Sequence, residues 1–111
     1  MFMIMLVLDK PELLDHVLEA WSQAGVTGCT IVESSGMYRR QVKRIPMRYS
    51  YEGSSGQENG NLTIFAVVQR QALIDACLAA AENITGDLNL PDTGIFAAWP
   101  LLVTKGVAAQ D

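Results

Sequence analysis

Five cations crowd into one ten-residue stretch of this chain: Arg39, Arg40, Lys43, Arg44 and Arg48, with no acid among them. Guanidinium and ammonium groups at that density can clamp a phosphate or carboxylate through charge-assisted hydrogen bonds, or dock on an acidic partner. A solvated loop that keeps the protein soluble is the plainer reading, and both stay open here. Just upstream, residues 25–39 read GVTGCTIVESSGMYR. An apolar run through Cys29, Ile31 and Val32 passes via Ser34-Ser35-Gly36 into the basic segment. A strand that ends in glycine before a charged loop can turn backbone N–H groups toward an anion. Within the basic stretch, Ile45, Met47, Tyr49 and Tyr51 alternate with polar residues, a pattern that allows a hairpin whose edge would suit insertion into a partner.

Other reactive residue types are sparse. His16 is the single histidine and falls off the apolar stripe of its helix, so it reads as a surface residue. Cys29 and Cys77 have no metal-ligand spacing and read as small hydrophobes in a reducing compartment. Thr85-Gly86 can either end a helix or cradle a phosphate. Asp87 and Asp92 stand among turn residues, where solvation accounts for them. With no nucleophile–base pair, metal triad or Walker loop, the chain reads as neither an enzyme nor a metalloprotein, and no cofactor is required.

The elements that must position these residues follow from composition and periodicity. The 111 residues are sufficient for one domain with its own core, and half of them are apolar. The net charge is −4, and outside the basic stretch three cations face twelve acids. That distribution argues against nucleic acid as a partner. Residues 1–8 are apolar but too short for a signal peptide or a membrane span, so a cytoplasmic location without membrane insertion is expected. Phe2 to Leu8 predicts a central strand. Asp9, with Glu12 and Pro11, predicts a capped helix start. Leu13, Leu14, Val17, Leu18 and Trp21 predict its apolar stripe, and Gly25 its end. Val26 to Glu33 reads as strand two, Leu62 to Val68 as strand three, Arg70 to Ile84 as a second helix and Gly94 to Trp99 as strand four. Leu101 to Thr104 could add a short edge strand, and 107–111 form a tail. Residues 36–61 are a long loop of polar, glycine-rich composition, uncommon in a compact domain unless functional. The β-α-β-loop-β-α-β order predicts an α+β, ferredoxin-like (βαββαβ) sandwich. Its open sheet face would need cover, most simply by oligomerisation, and Trp21 and Trp99 read as core or interface residues.

Set in this order, the residues resemble the PII signalling proteins. Lys10-Pro11 with Leu14 and Val17 is similar to that family's KPxxLxxV helix start. Gly25-Val26-Thr27-Gly28-Cys29-Thr30-Ile31 is similar to its GVTGMTV strand, and Glu33 with Gly36-Met37-Tyr38-Arg39 to the opening of its long T-loop. Thr85-Gly86, followed by Gly94-Ile95-Phe96, resembles its B-loop and fourth strand. The resemblance implies a homotrimer that binds an effector, an adenine nucleotide in that family, in clefts between subunits. It also implies control of a partner protein, a transporter or an enzyme in nitrogen regulation, through the loop. The ligand-binding positions it implies are Thr30, Gly36, Met37, Arg39, Thr85, Gly86 and Lys105. The partner-binding loop would use Arg40, Lys43, Arg44, Arg48, Tyr49 and Tyr51. The chain departs from the family pattern where phosphates would lie: Tyr38 replaces a loop glycine, the B-loop lysines are absent, and Asp87 and Asp92 stand there instead. These departures point to a ligand less charged than a triphosphate, or to an interaction module that binds none.

Overall fold

The computed structural model of the chain describes residues 1–34 and 61–107. In order these form β1 (Phe2–Leu8), a 3-10 turn (Pro11–Leu13), α1 (Leu14–Ala24), β2 (Thr30–Ser34), β3 (Asn61–Val68), α2 (Gln71–Thr85) and β4 (Gly94–Pro100). The strands make one antiparallel sheet in the order β2-β3-β1-β4. Two helices and a four-stranded antiparallel sheet make a small α+β fold compatible with a ferredoxin-like arrangement.

Strand alternation decides what each apolar run does. In β1, Ile4, Leu6 and Leu8 are fully buried, while Met3, Met5 and Val7 between them are half-buried. β3 repeats this with Ile64, Ala66 and Val68 inward. Val17 and Trp21 of α1 and Leu73, Cys77 and Ala81 of α2 complete the core against that face. Fully burying one such side chain contributes roughly 1.5–3 kcal/mol. The indole N–H of Trp21 donates to the Cys77 carbonyl at 3.0 Å, tying the two helices together inside the core.

Two glycines are required by geometry. Gly25 ends α1 at φ +120°, donating to the carbonyls of Trp21 and Ser22. Gly94 opens β4 at φ +145° so close to β1 that a Cβ there would strike the Val7 carbonyl oxygen.

Two sequence expectations change, and the first helix is preceded by a 3-10 turn led by Pro11. Lys10 holds the cap position without a side-chain cap bond, and its carbonyl accepts from the Leu13 N–H at 3.0 Å. β2 starts at Thr30, not Val26, because Val26 turns into the core and its N–H bonds the Trp21 carbonyl. Leu101–Thr104 is not a strand. Leu101 N–H bonds the Met1 carbonyl at 3.0 Å, and the Thr104 hydroxyl donates to the Met1 sulfur. No helix among the described residues is long and apolar enough to cross a membrane.

Candidate functional site

The β2 edge carries a recess. The segment Thr27-Gly28-Cys29-Thr30 approaches the sheet fully exposed, and a Cβ at Gly28 would meet nothing within 4 Å. Thr30 pairs with Phe65, so its side chain shares a sheet face with Phe65 and Val67. The C-terminal segment returns to this edge, and Gly106 and Val107 close a groove of about 340 Å³ over Thr27–Thr30, Met3 and Phe65. Such a volume suits a small ligand, with hydroxyls at the rim and apolar side chains on the floor. Lys105 is exposed one residue before the groove wall. Of the expected ligand-binding residues Thr30 lines this recess, whereas Lys105 precedes its wall in sequence and does not line it.

Cys29 corrects a sequence expectation. It lies on the groove lip as an exposed free thiol, because the chain there has not yet joined the sheet. Partial desolvation raises its pKa above the ordinary thiol value. Cys77 is buried as expected, and burial pushes its thiol up to about 11. His16 is exposed, as its position off the stripe implied.

Thr85 and Gly86 lie elsewhere. They end α2, with Gly86 at φ +87° and its N–H bonded to the Glu82 carbonyl at 2.9 Å. The Thr85 hydroxyl donates to the Gly86 carbonyl at 2.8 Å. α2 starts beside the end of β3 that floors the groove and runs for 15 residues. At 1.5 Å per residue this puts Thr85 roughly 20 Å from the groove end of the fold. Here the Glu82 carboxylate accepts the Leu88 N–H at 3.0 Å, and Asp87 accepts the Asn89 N–H at 2.9 Å. A second recess of about 380 Å³ opens beside this loop, between Leu78, Glu82 and Ile95. A carboxylate on its wall is poorly suited to phosphate. Gly36, Met37, Arg39, Arg40, Lys43, Arg44, Arg48, Tyr49 and Tyr51 fall outside the described residues.

The sheet face away from the helices is open. The register sets Met3, Val67 and Trp99 side by side, then Thr30, Phe65, Met5 and Ala97, then Val32, Thr63, Val7 and Ile95. None of these residues is charged. Ile95 is 59% exposed, Val32 45% and Trp99 40%. Leu102 and Val103, beyond the end of β4, are exposed almost completely. One residue that motif reading passed over belongs to the same face. Asn61 is nine-tenths buried, and its Oδ1 has no hydrogen-bond partner among the described residues. Period-two counting from Thr63 would have placed it there.

No protein-family model matches the chain, and no curated protein matches it in sequence.

Proposed function

We propose that this chain is a PII-like regulatory protein that works as a homotrimer. Its groove at Thr27–Thr30, with Lys105 beside it, would bind a small effector, and the basic loop would control a partner transporter or enzyme. The observation that carries this reading is the charge-free, half-exposed sheet face. A face of that kind is stable in water when another copy covers it. Packing copies through it would also let the groove of one chain meet residues of the next, which a site split across roughly 20 Å of a single chain needs. Effector binding would then bias the loop between states that bind the partner differently. The chemistry of the groove favours a ligand with an apolar, flat body and little charge, such as the nucleoside part of an adenine nucleotide.

Light scattering at micromolar concentration tests the assembly, and a monomer would refute it. Thermal shift with adenosine, cyclic AMP, AMP, ADP and ATP, with and without Mg²⁺ and 2-oxoglutarate, tests the site. Ligand at 100 times its Kd contributes about 2.7 kcal/mol of stability. A second reading, a ligand-independent interaction module on the same fold, is favoured by the carboxylates of Glu82 in the last turns of α2 and Asp87 in the loop after it. An oligomer that shifts with none of these compounds would select it.

A further inference from the structure

We infer that the recess between α2 and β4 binds a small organic amine, a ligand whose apolar body fills the recess and whose ammonium head pairs with the Glu82 carboxylate. The recess of about 380 Å³ is bordered by Leu78 and Glu82, one turn apart on α2, and by Ile95 and Phe96 of β4. Leu88, in the loop that joins the two elements, adds a third apolar side. Ile95 and Phe96 are consecutive in a strand, so their side chains leave it on opposite faces. A recess that touches both therefore runs along the outer edge of β4, the last strand in the sheet order. Of these residues Ile95 alone belongs to the open sheet face, so the site does not depend on association through that face.

The chemistry of the lining selects the ligand. Glu82 is half-buried, and one of its oxygens, Oε2, accepts the Leu88 N–H at 3.0 Å, which holds the side chain in place. The other oxygen has no bond, and no cation pairs with it, among the described residues. A neutral apolar ligand would strip water from that oxygen and give nothing back. An anion would be repelled. A metal ion needs more ligands, and no group of three His, Cys, Asp or Glu among the described residues could hold one. An ammonium group brings a charge and three donors to the carboxylate, while its apolar stem lies against Leu78, Leu88 and Phe96. The surroundings act in the same direction. The last turn of α2 carries no basic residue, so the partial negative charge of its carbonyl end is uncompensated, and Asp87 stands exposed just beyond it.

The test compares phenethylamine with phenethyl alcohol, which shares its body and lacks its charge, by NMR titration of the backbone amides of the full chain. The amine should shift the amides of Leu78, Leu88, Ile95 and Phe96 with a Kd on the order of 1 mM. The alcohol should bind at least about 10-fold more weakly. Glu82→Gln keeps an acceptor for the Leu88 N–H and removes the charge, so it should bring the two compounds to equal affinity. Equal binding by the wild-type chain, shifts confined to other amides, or an undiminished preference in Glu82→Gln overturns the inference. If Glu82→Gln does not fold, added salt decides: it should erode the preference for the amine, and a preference indifferent to salt overturns the pairing. Changing Arg39, Arg40, Lys43, Arg44 and Arg48 to Gln should leave the affinity for the amine unaltered. A rise would mean that the chain's own cations compete for the recess, which overturns the assignment to a free amine.

Discussion

Ile95→Lys separates a face built for a partner from one that merely happens to be apolar. Ile95 stands on the open face of the edge strand β4, opposite Val7, and is 59% exposed. In an isolated chain the lysine would hold its ammonium in water, and surface changes of this kind alter stability by roughly 0.5 kcal/mol. In an oligomer sealed through the face the outcome differs. About 100 Å² of the isoleucine remains to be buried, which contributes about 2.5 kcal/mol per copy at ~25 cal/mol/Å². The lysine forfeits that term and adds the desolvation of an unpaired ammonium, several kcal/mol more. Association should therefore weaken at least about 100-fold. Sedimentation equilibrium reads the association, and a urea melt of the dissociated variant reads the fold. Leu90→Lys is the control, since Leu90 is 57% exposed but lies in the loop before β4, off the sheet. If Ile95→Lys associates as wild type does, or Leu90→Lys dissociates as readily, the open face is not the interface.

Gly94→Ala should destabilise the fold by at least about 2 kcal/mol in urea, because the added methyl meets the Val7 carbonyl at a φ that L-residues avoid. Trp21→Phe should cost about 1–3 kcal/mol in the same assay, since the 3.0 Å bond to the Cys77 carbonyl is lost inside the core. Native protein should show one thiol, Cys29, that reacts readily with a disulfide reagent, and Cys77 should react only on unfolding. Two fast thiols in native protein would contradict the burial of Cys77. The Cys77 thiol is raised from an ordinary 9.0 to about 11 because burial disfavours its thiolate. The unfolded chain therefore releases this proton first, so the stability it contributes is intact below pH 9 and lost between pH 9 and about 11. Cys77→Ala should flatten that part of the stability profile.

Most of the fold was readable because each apolar run had one destination. Phe2–Leu8 and Leu62–Val68 are apolar runs of strand length, and Val17, Trp21, Leu73, Cys77 and Ala81 follow helical spacing, so run length and period together sorted them into sheet and helices. The misreadings fall where tertiary contacts override local pattern. Val26 looks like the first residue of a strand, yet its N–H is taken by the Trp21 carbonyl at the end of α1, and the strand cannot start until Thr30. Leu101–Val103 has strand composition, but Met1 holds Leu101 beside β1 and the two residues after it are left in solvent.

The candidate site was harder to read, because motifs place residues along the chain and a site depends on where the chain ends meet. Thr30 and Gly106 are 76 positions apart, and only the return of Gly106 and Val107 to the β2 edge makes them walls of one groove. Thr85 and Gly86 sit in an equally suggestive motif, yet α2 carries them to the far end of the fold, where their polar groups serve the helix terminus. Asn61 shows the opposite case, a residue with no motif at all that is nine-tenths buried with its Oδ1 unpartnered among the described residues. The same alternation accounts for the groove, the uncharged face and the orphaned carbonyl. Every second residue of β1 and β3 feeds the core, and the residues between them are uncharged and lie on the face away from the helices. That face mixes apolar side chains with the hydroxyls of Thr30 and Thr63, and the groove opens at its β2 edge because Gly106 and Val107 return there.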